Sequence, residues 1–314
     1  MTNQQSTSTL MMIRPVKFMF NEQTAVNNYY QKAIAGLSES EIQSKAITEF
    51  DQFVEKLRTK KINVIVIEDT LTPSTPDSIF PNNWVSFHSD GKVGLYPMFA
   101  ENRRLERRPD ILEKLQSQEG LKIKNVIDFS DYEAEGLFLE GTGSMILDRP
   151  NKLVYAAISV RTDEKVLEDF CEKFGYTAIK FTANQTVDGK RLPIYHTNVM
   201  MCVADEFAIL CADSIDDLEE RKNVIESLEK TGKKIIEISE EQKHHFAGNM
   251  LQVNGTDGKS YLVMSAAAHQ SLNESQVERI EKYCEILSSS LDTIEALGGG
   301  SARCMMAEVF LPKA

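Results

Sequence analysis

The sequence predicts a five-bladed α/β propeller, and three observations carry that prediction. A unit of apolar strand, tight turn, return strand and amphipathic helix recurs four times between residues 84 and 287. The residues that open these strands and a fifth one, Asn83, Gly143, Asn198, Asn249 and Cys304, are spaced by 60, 55, 51 and 55 residues. The fifth strand, Cys304 to Leu311, can pair with the first strand of the chain, which closes the ring. A supersecondary unit recurring at that period marks a radial array. The competing reading is an ordinary α/β sandwich with chance spacing. Closure favours one domain over residues 1–314.

The elements follow in order. Residues 1–10 read as a polar tail, and Leu10 to Ile13 as a strand ended by Pro15. Ser38 and Glu41 form a capping-box pattern ahead of Ile42, Ala46, Phe50, Phe53, Val54 and Leu57 at helical spacing. Ile62 to Ile67 is a β-branched strand. The first repeat has strands Trp84–Phe87 and Val93–Pro97 around the turn Ser89–Lys92, then a helix over Arg103–Gln118. The second has Ser144–Leu147, Leu153–Val160 and a helix over Asp163–Phe174. The third has Val199–Val203, Phe207–Cys211 and a helix over Asp216–Lys230. The fourth has Met250–Val253, Tyr261–Met264 and a helix over Asn273–Leu287.

Composition excludes several classes. The net charge is −12, from 35 basic and 47 acidic residues, with no dense basic block to meet a phosphate backbone. The polar start MTNQQSTSTL lacks the charged and apolar regions of a signal peptide, and no apolar run is long enough to span a membrane. Five cysteines, none in a C-x-x-C pair and none with histidines at ligand spacing, argue against a disulfide framework and a zinc site. The expectation is a cytoplasmic protein with no cofactor and no metal that binds a small molecule rather than nucleic acid or membrane. Nothing in the sequence indicates an oligomeric state.

If the strand openings converge on the ring axis, so do their side chains. That set contains Asp77, Asn82, Asn83, Glu140, Thr142, His196, Asn198, Asn249 and Cys304. Taken singly, each has a plain explanation: Glu140 in LEGTGS as a turn cap, His196 as a satisfied core histidine, the asparagines as turn residues. Together, a thiol after the flexible run Gly298–Gly300, an imidazole and a carboxylate are the parts of cysteine nucleophilic catalysis. A free thiol has a pKa of about 8.5 and needs a neighbour that generates or stabilises thiolate. His196 can do that and protonate a leaving amine, and Glu140 can orient the imidazole. LEGTGS has no lysine after it, so it is not a Walker phosphate loop.

These motifs resemble the guanidine-modifying, or amidinotransferase, superfamily, whose fold is the pentein five-bladed propeller. PDSIFPNNW (Pro76–Trp84) resembles its substrate loop, LEGTGS its acidic residue, YHTN its histidine and GGGSARC its nucleophile. The sequence is most similar to dimethylarginine dimethylaminohydrolases and citrulline utilization hydrolases, with Arg14–Pro15 and Asn21–Ala25 matching the latter's opening stretch. The resemblance implies catalytic roles for Cys304, His196 and Glu140, and head-group contacts from Asp77, Asn82 and Asn83. It also implies α-carboxylate contacts from Arg161 in VRT and from Arg103, or Arg104, in NRR; guanidinium grips carboxylate as a bidentate fork.

One departure bears on the substrate. Asn83 stands where dimethylarginine hydrolases place an aspartate, and a neutral amide suits a neutral ureido group. The expected reaction is hydrolysis of citrulline to ornithine, ammonia and carbon dioxide. The alternatives are an arginine or methylarginine hydrolase or deiminase, or an amidinotransferase. A different class is a non-catalytic propeller binding protein, since a ribosome-binding translation factor shares the fold without the catalytic set.

Overall fold

The computed structural model describes residues 4–34 and 36–313. Among them stand five three-stranded sheets, the blades of the α/β propeller. Blade one is Val85–Phe87, Lys92–Leu95 and Asn125–Asp128; blade two is Ile146–Asp148, Leu153–Ala157 and Thr177–Phe181. Blade three is Met201–Val203, Phe207–Leu210 and Lys234–Glu237; blade four is Leu251–Asn254, Ser260–Ser265 and Glu285–Ser289. In each, the first pair is antiparallel and the third strand joins in parallel after a helical crossover, as parallel pairing requires.

Blade five is built from both ends of the described chain. Thr9–Arg14 pairs parallel with Asn63–Glu68 on one side and antiparallel with Ala307–Glu308 on the other, with Leu10 opposite Glu308. The expected pairing of the first strand with the last is therefore present. The short inner strands of blades five and one, two and three, and three and four touch around the centre.

Helices pack outside the blades for ordinary amphipathic reasons. Glu39–Thr59 is capped by the anticipated Ser38–Glu41 box and buries Ala46, Phe50, Phe53, Val54 and Leu57. Each fully buried phenylalanine contributes roughly 1.5–3 kcal/mol. Glu164–Phe174 is capped by Asp163 and buries Phe170 and Phe174 among Tyr96, Phe129 and Tyr176.

Four expectations need correction. Residues 5–7 are no tail: they are buried, and Gln5 Nε2 donates to the Leu147 and Val203 carbonyls at 2.9 Å each. The helix over Arg103–Gln118 is two helices, Glu101–Arg104 and Pro109–Ser117. Pro109 has no N–H to donate and forces Arg108 out of helical geometry, at φ −86° and ψ 120°. The helix over Asn273–Leu287 stops at Glu281, and Glu285–Ser289 is a strand. The strand over Cys304–Leu311 shrinks to Ala307–Glu308. Residues 301–306 instead form successive turns, with the amide of Cys304 donating to the Ser301 carbonyl at 3.0 Å. The nucleophile candidate thus sits on a tight turn at the entrance to its strand.

Candidate active site

Short helical turns precede the inner strands of blades one to three: Pro81–Asn83, Gly141–Ser144 and Thr197–Val199. The Gly141–Ser144 turn packs on the other two. At Gly141, with φ +46°, a Cβ would lie 2.4 Å from the Asn82 carbonyl oxygen, so glycine is needed both for conformation and for approach. These turns gather Asn83, His196 and Cys304 around one cavity, whose wall also includes Asp77, Arg103, Arg161, Tyr195 and Gly298–Gly300.

The thiol of Cys304 is buried and ringed by amides. Asn198 Nδ2 and Asn249 Nδ2 donate to Sγ at 3.4 and 3.3 Å. Sγ also lies 3.6 Å from Asn249 Oδ1, to which a thiol can donate. Asn249 also fixes the loop by accepting from the Arg303 amide at 3.1 Å.

His196 Nε2 lies 2.7 Å from Glu140 Oε2, while Glu140 Oε1 accepts from the Phe99 amide at 2.9 Å. Burial opposes charge on Glu140, but Arg161 and then the His196 hydrogen bond outweigh it and hold the carboxyl well below the usual carboxylate range. Burial pushes His196 down to about 4, against the pull of Glu140. At neutral pH this pairs an ionised Glu140 with a neutral imidazole. With Nε2 turned to Glu140, Nδ1 is the ring nitrogen left for proton transfer.

The two predicted arginines differ in their commitments. Arg103 spends Nε and Nη2 on both oxygens of Glu106 at 2.9 Å each, and Nη1 on Asn83 Oδ1 at 2.9 Å. Arg161 donates Nε to Asn27 Oδ1 at 2.9 Å and Nη2 to the Thr24 carbonyl at 2.9 Å, with Nη1 3.5 Å from Glu140. Its guanidinium lies over the rings of Tyr195 and Phe99, 5.0 and 5.6 Å from their centroids. Arg104, the stand-in for Arg103, donates instead to the Met98 carbonyl and approaches Glu133, away from the cavity.

Asp77 lines the cavity, and its Oδ2 accepts from Asn21 and Thr24 at 2.7 and 3.1 Å. Its Oδ1 is buried without a partner among the described residues, and burial raises its pKa despite Arg103. Asn83 Nδ2 is likewise unpaired. Asn82 lies behind the wall, donating to Thr142 Oγ1 at 3.3 Å. A buried carboxylate oxygen and a buried amide N–H, both open, are positions where a polar ligand completes the site.

The sequence left one feature unassigned: residues 21–32 fold over the cavity. Asn21 and Thr24 hold Asp77, Asn27 holds Arg161, and Asn28 Nδ2 donates to the Gly299 carbonyl at 3.3 Å. Gln31 and Lys32 anchor the far end on the Leu297 and Ala296 carbonyls. Only about 10 Å³ beneath is open to a water-sized body, hardly room for one water. Asn198 and Asn249 stood among the converging residues without a role; their signal was asparagine recurring at the strand openings.

Relatives of known structure share this architecture. ArgZ, an arginine dihydrolase from the ornithine-ammonia cycle in cyanobacteria, is 16% identical and superposes with a TM-score of 0.74 over 98% of this chain. This chain spans 41% of that longer protein but 99% of its isolated N-terminal domain, one form of which was captured covalently bound to a reaction intermediate at a TM-score of 0.72 and 16% identity, over 97% of this chain. A dimethylarginine dimethylaminohydrolase adduct with S-methyl-L-thiocitrulline is 14% identical, at a TM-score of 0.63 over 96% of this chain and 98% of that one. No curated protein matches the chain by sequence alone. The family model for eukaryotic N,N dimethylarginine dimethylhydrolase matches residues 14–311. With nearly its whole length inside that match, the chain belongs to the dimethylarginine dimethylhydrolase family of the amidinotransferase superfamily.

Proposed function

We propose that this protein is a cysteine hydrolase of a guanidino amino acid, with arginine as its first candidate substrate. The observation that carries the reading is one cavity lined by Cys304, His196 and the carboxylate of Asp77, which has one oxygen without a partner, with Glu140 behind it on His196. A guanidinium is a cation rich in N–H donors, and such carboxylates are what it needs out of water. ArgZ, described as an arginine dihydrolase, supports the same order of candidates. Citrulline becomes the second reading. Asn83 favours it, because its Oδ1 is committed to Arg103 and its free Nδ2 can donate to a ureido oxygen.

The chemistry follows from the groups present. Neutral His196 takes the thiol proton, and the imidazolium that forms is stabilised by ionised Glu140. The thiolate, held by Asn198 and Asn249, attacks the central carbon and forms a C–S bond. His196 returns the proton to the departing nitrogen as the C–N bond breaks. A water then gives a proton to His196 and attacks the same carbon, and the C–S bond breaks to release product. If the product is a ureido compound that stays bound, a second round on it would release ornithine, ammonia and carbon dioxide. Of the two arginines, Arg161 is the candidate α-carboxylate ligand, reached once Asn27 and Thr24 withdraw. Arg103, saturated by Glu106, positions Asn83.

Purified protein incubated with arginine, N,N-dimethylarginine and citrulline in turn, with products separated by chromatography, tests the proposal. Arginine should be consumed, and the Cys304→Ala protein should consume none. Preference for citrulline over arginine would promote the second reading. Full activity of Cys304→Ala would remove the mechanism.

A further inference from the structure

A second cavity, of about 490 Å³, lies on the other side of the 21–32 cover, within the size range of small-molecule sites. One wall is Tyr30 and Lys32 of the cover itself; another is Glu295 and Asp292 of the helix Asp292–Gly298, which leads into the glycine run. The third is the hairpin of strands Asn184–Val187 and Lys190–Pro193, with Gln185 and Asp188.

Two groups there are built for a ligand. Gln185 is 1% exposed and Tyr30 8% exposed. Neither Gln185 Nε2 nor Tyr30 Oη has a hydrogen-bond partner among the described residues. Gln185 Oε1 is occupied by Lys243 Nζ at 3.1 Å, so the amide is oriented with its N–H₂ unused. Buried donors without partners are rare in folded proteins and call for a carbonyl or carboxylate oxygen. The charges favour a cation: Asp188 and Asp292 line the cavity against one Lys32, and Glu295, its pKa raised to about 7 by burial, adds its charge above that pH. The aromatic pair Tyr30 and Phe246, 5.0 Å between centroids, adds faces that attract an organic cation.

We propose that this cavity is a second binding site, for a small basic amino acid whose carboxylate meets Gln185 and Tyr30 and whose side-chain amine meets the acidic wall. The inference does not depend on which substrate Cys304 cleaves. The site is wired to the first. Glu295 Oε1 accepts from Ser301 Oγ at 2.5 Å, and the Ser301 carbonyl accepts from the Cys304 amide. Tyr30 also stacks edge-on against Tyr195, a wall of the first cavity. An occupant therefore holds the cover and the nucleophile loop together.

The test uses the Cys304→Ala chain, titrated by calorimetry with L-ornithine, with putrescine (no carboxylate) and with L-norvaline (no side-chain amine). In that background Tyr30→Phe/Gln185→Glu removes both donors while keeping an acceptor for Lys243. The double change should abolish one class of L-ornithine site or weaken it by about tenfold or more, the scale of hydrogen bonds to a charged group. Putrescine and L-norvaline should bind that class more weakly than L-ornithine. An unchanged isotherm in the double variant, or no L-ornithine binding outside the Cys304 cavity, overturns the proposal. If the double variant does not fold, crystals of Cys304→Ala with L-ornithine decide: ligand between Gln185 and Glu295 supports the site, and ligand confined to the Cys304 cavity refutes it.

Discussion

Gly143 lies where a side chain would push two functional groups apart. A Cβ there would sit 2.4 Å from Asn83 Nδ2 and 2.9 Å from His196 Nδ1. Gly143→Ala should therefore leave the circular-dichroism spectrum intact yet reduce kcat/KM by about tenfold or more, since small displacements in a site are costly; unchanged kinetics would show that both side chains yield freely. If His196 is the base, as proposed, it sets the acid limb of activity. With its pKa lowered to about 4 by burial, it remains the neutral base across the range where an ordinary imidazole would charge. The kcat/KM profile should hold down to about pH 5 and fall near 4, and a limb near 6.5 would contradict this. The linked stability has the same sign. The unfolded chain takes the proton first, so stability falls as pH drops from about 6.5 towards 4. At this scale the candidate set Cys304, His196 and Glu140 was legible because chemistry limits which residues could serve as nucleophile, base and orienter, the roles proposed for them. The commitments of Arg103 were not, because Glu106 looks like any helical acid until the chain folds.

At the scale of elements, propensity and capping were read well and outer strands poorly. The Ser38–Glu41 box is formed in both directions, with the Ser38 amide donating to Glu41 Oε2 at 2.8 Å. Ser38→Ala should cost about 1 kcal/mol in denaturant unfolding with no change in kcat. Third strands such as Lys234–Glu237 and Thr177–Phe181 are short and mix polar with apolar residues, so neither period stands out. In Glu285–Ser289 the apolar pair Ile286 and Leu287 continued a helical pattern as easily as a strand, and pairing with Ser260–Ser265 decided it. The helix Asp292–Gly298 carries Glu295, whose pKa burial raises to about 7, with hydrogen bonds from Ser265 and Ser301 partly offsetting. A raised carboxyl contributes stability below its unfolded value of 4.5 that is lost as pH rises through 7. Thermal unfolding of Glu295→Gln should therefore gain on the unmodified protein between pH 5 and 8. A constant difference across that range would show that the carboxyl does not titrate there.

For the whole molecule, the repeat spacing foretold the ring because each blade needs similar lengths of chain for two hairpin strands and a crossover. It could not foretell the cover of residues 21–32, which belongs to no repeat. Ending the chain after Met306 would remove Ala307–Glu308, the inner strand of blade five, and expose an edge of Thr9–Arg14. The truncated protein should lose its cooperative thermal transition; a sharp transition near that of the intact chain would show that closure is dispensable. The same arrangement orders events during synthesis. Ala307–Glu308 follows every other strand in sequence, and Cys304 lies just before it. A chain emerging from the ribosome can form four blades and place Glu140, His196 and Asn249 while Cys304 is still unmade. The proposed nucleophile then arrives with the segment that shuts the ring, so an incomplete product lacks both the finished scaffold and Cys304.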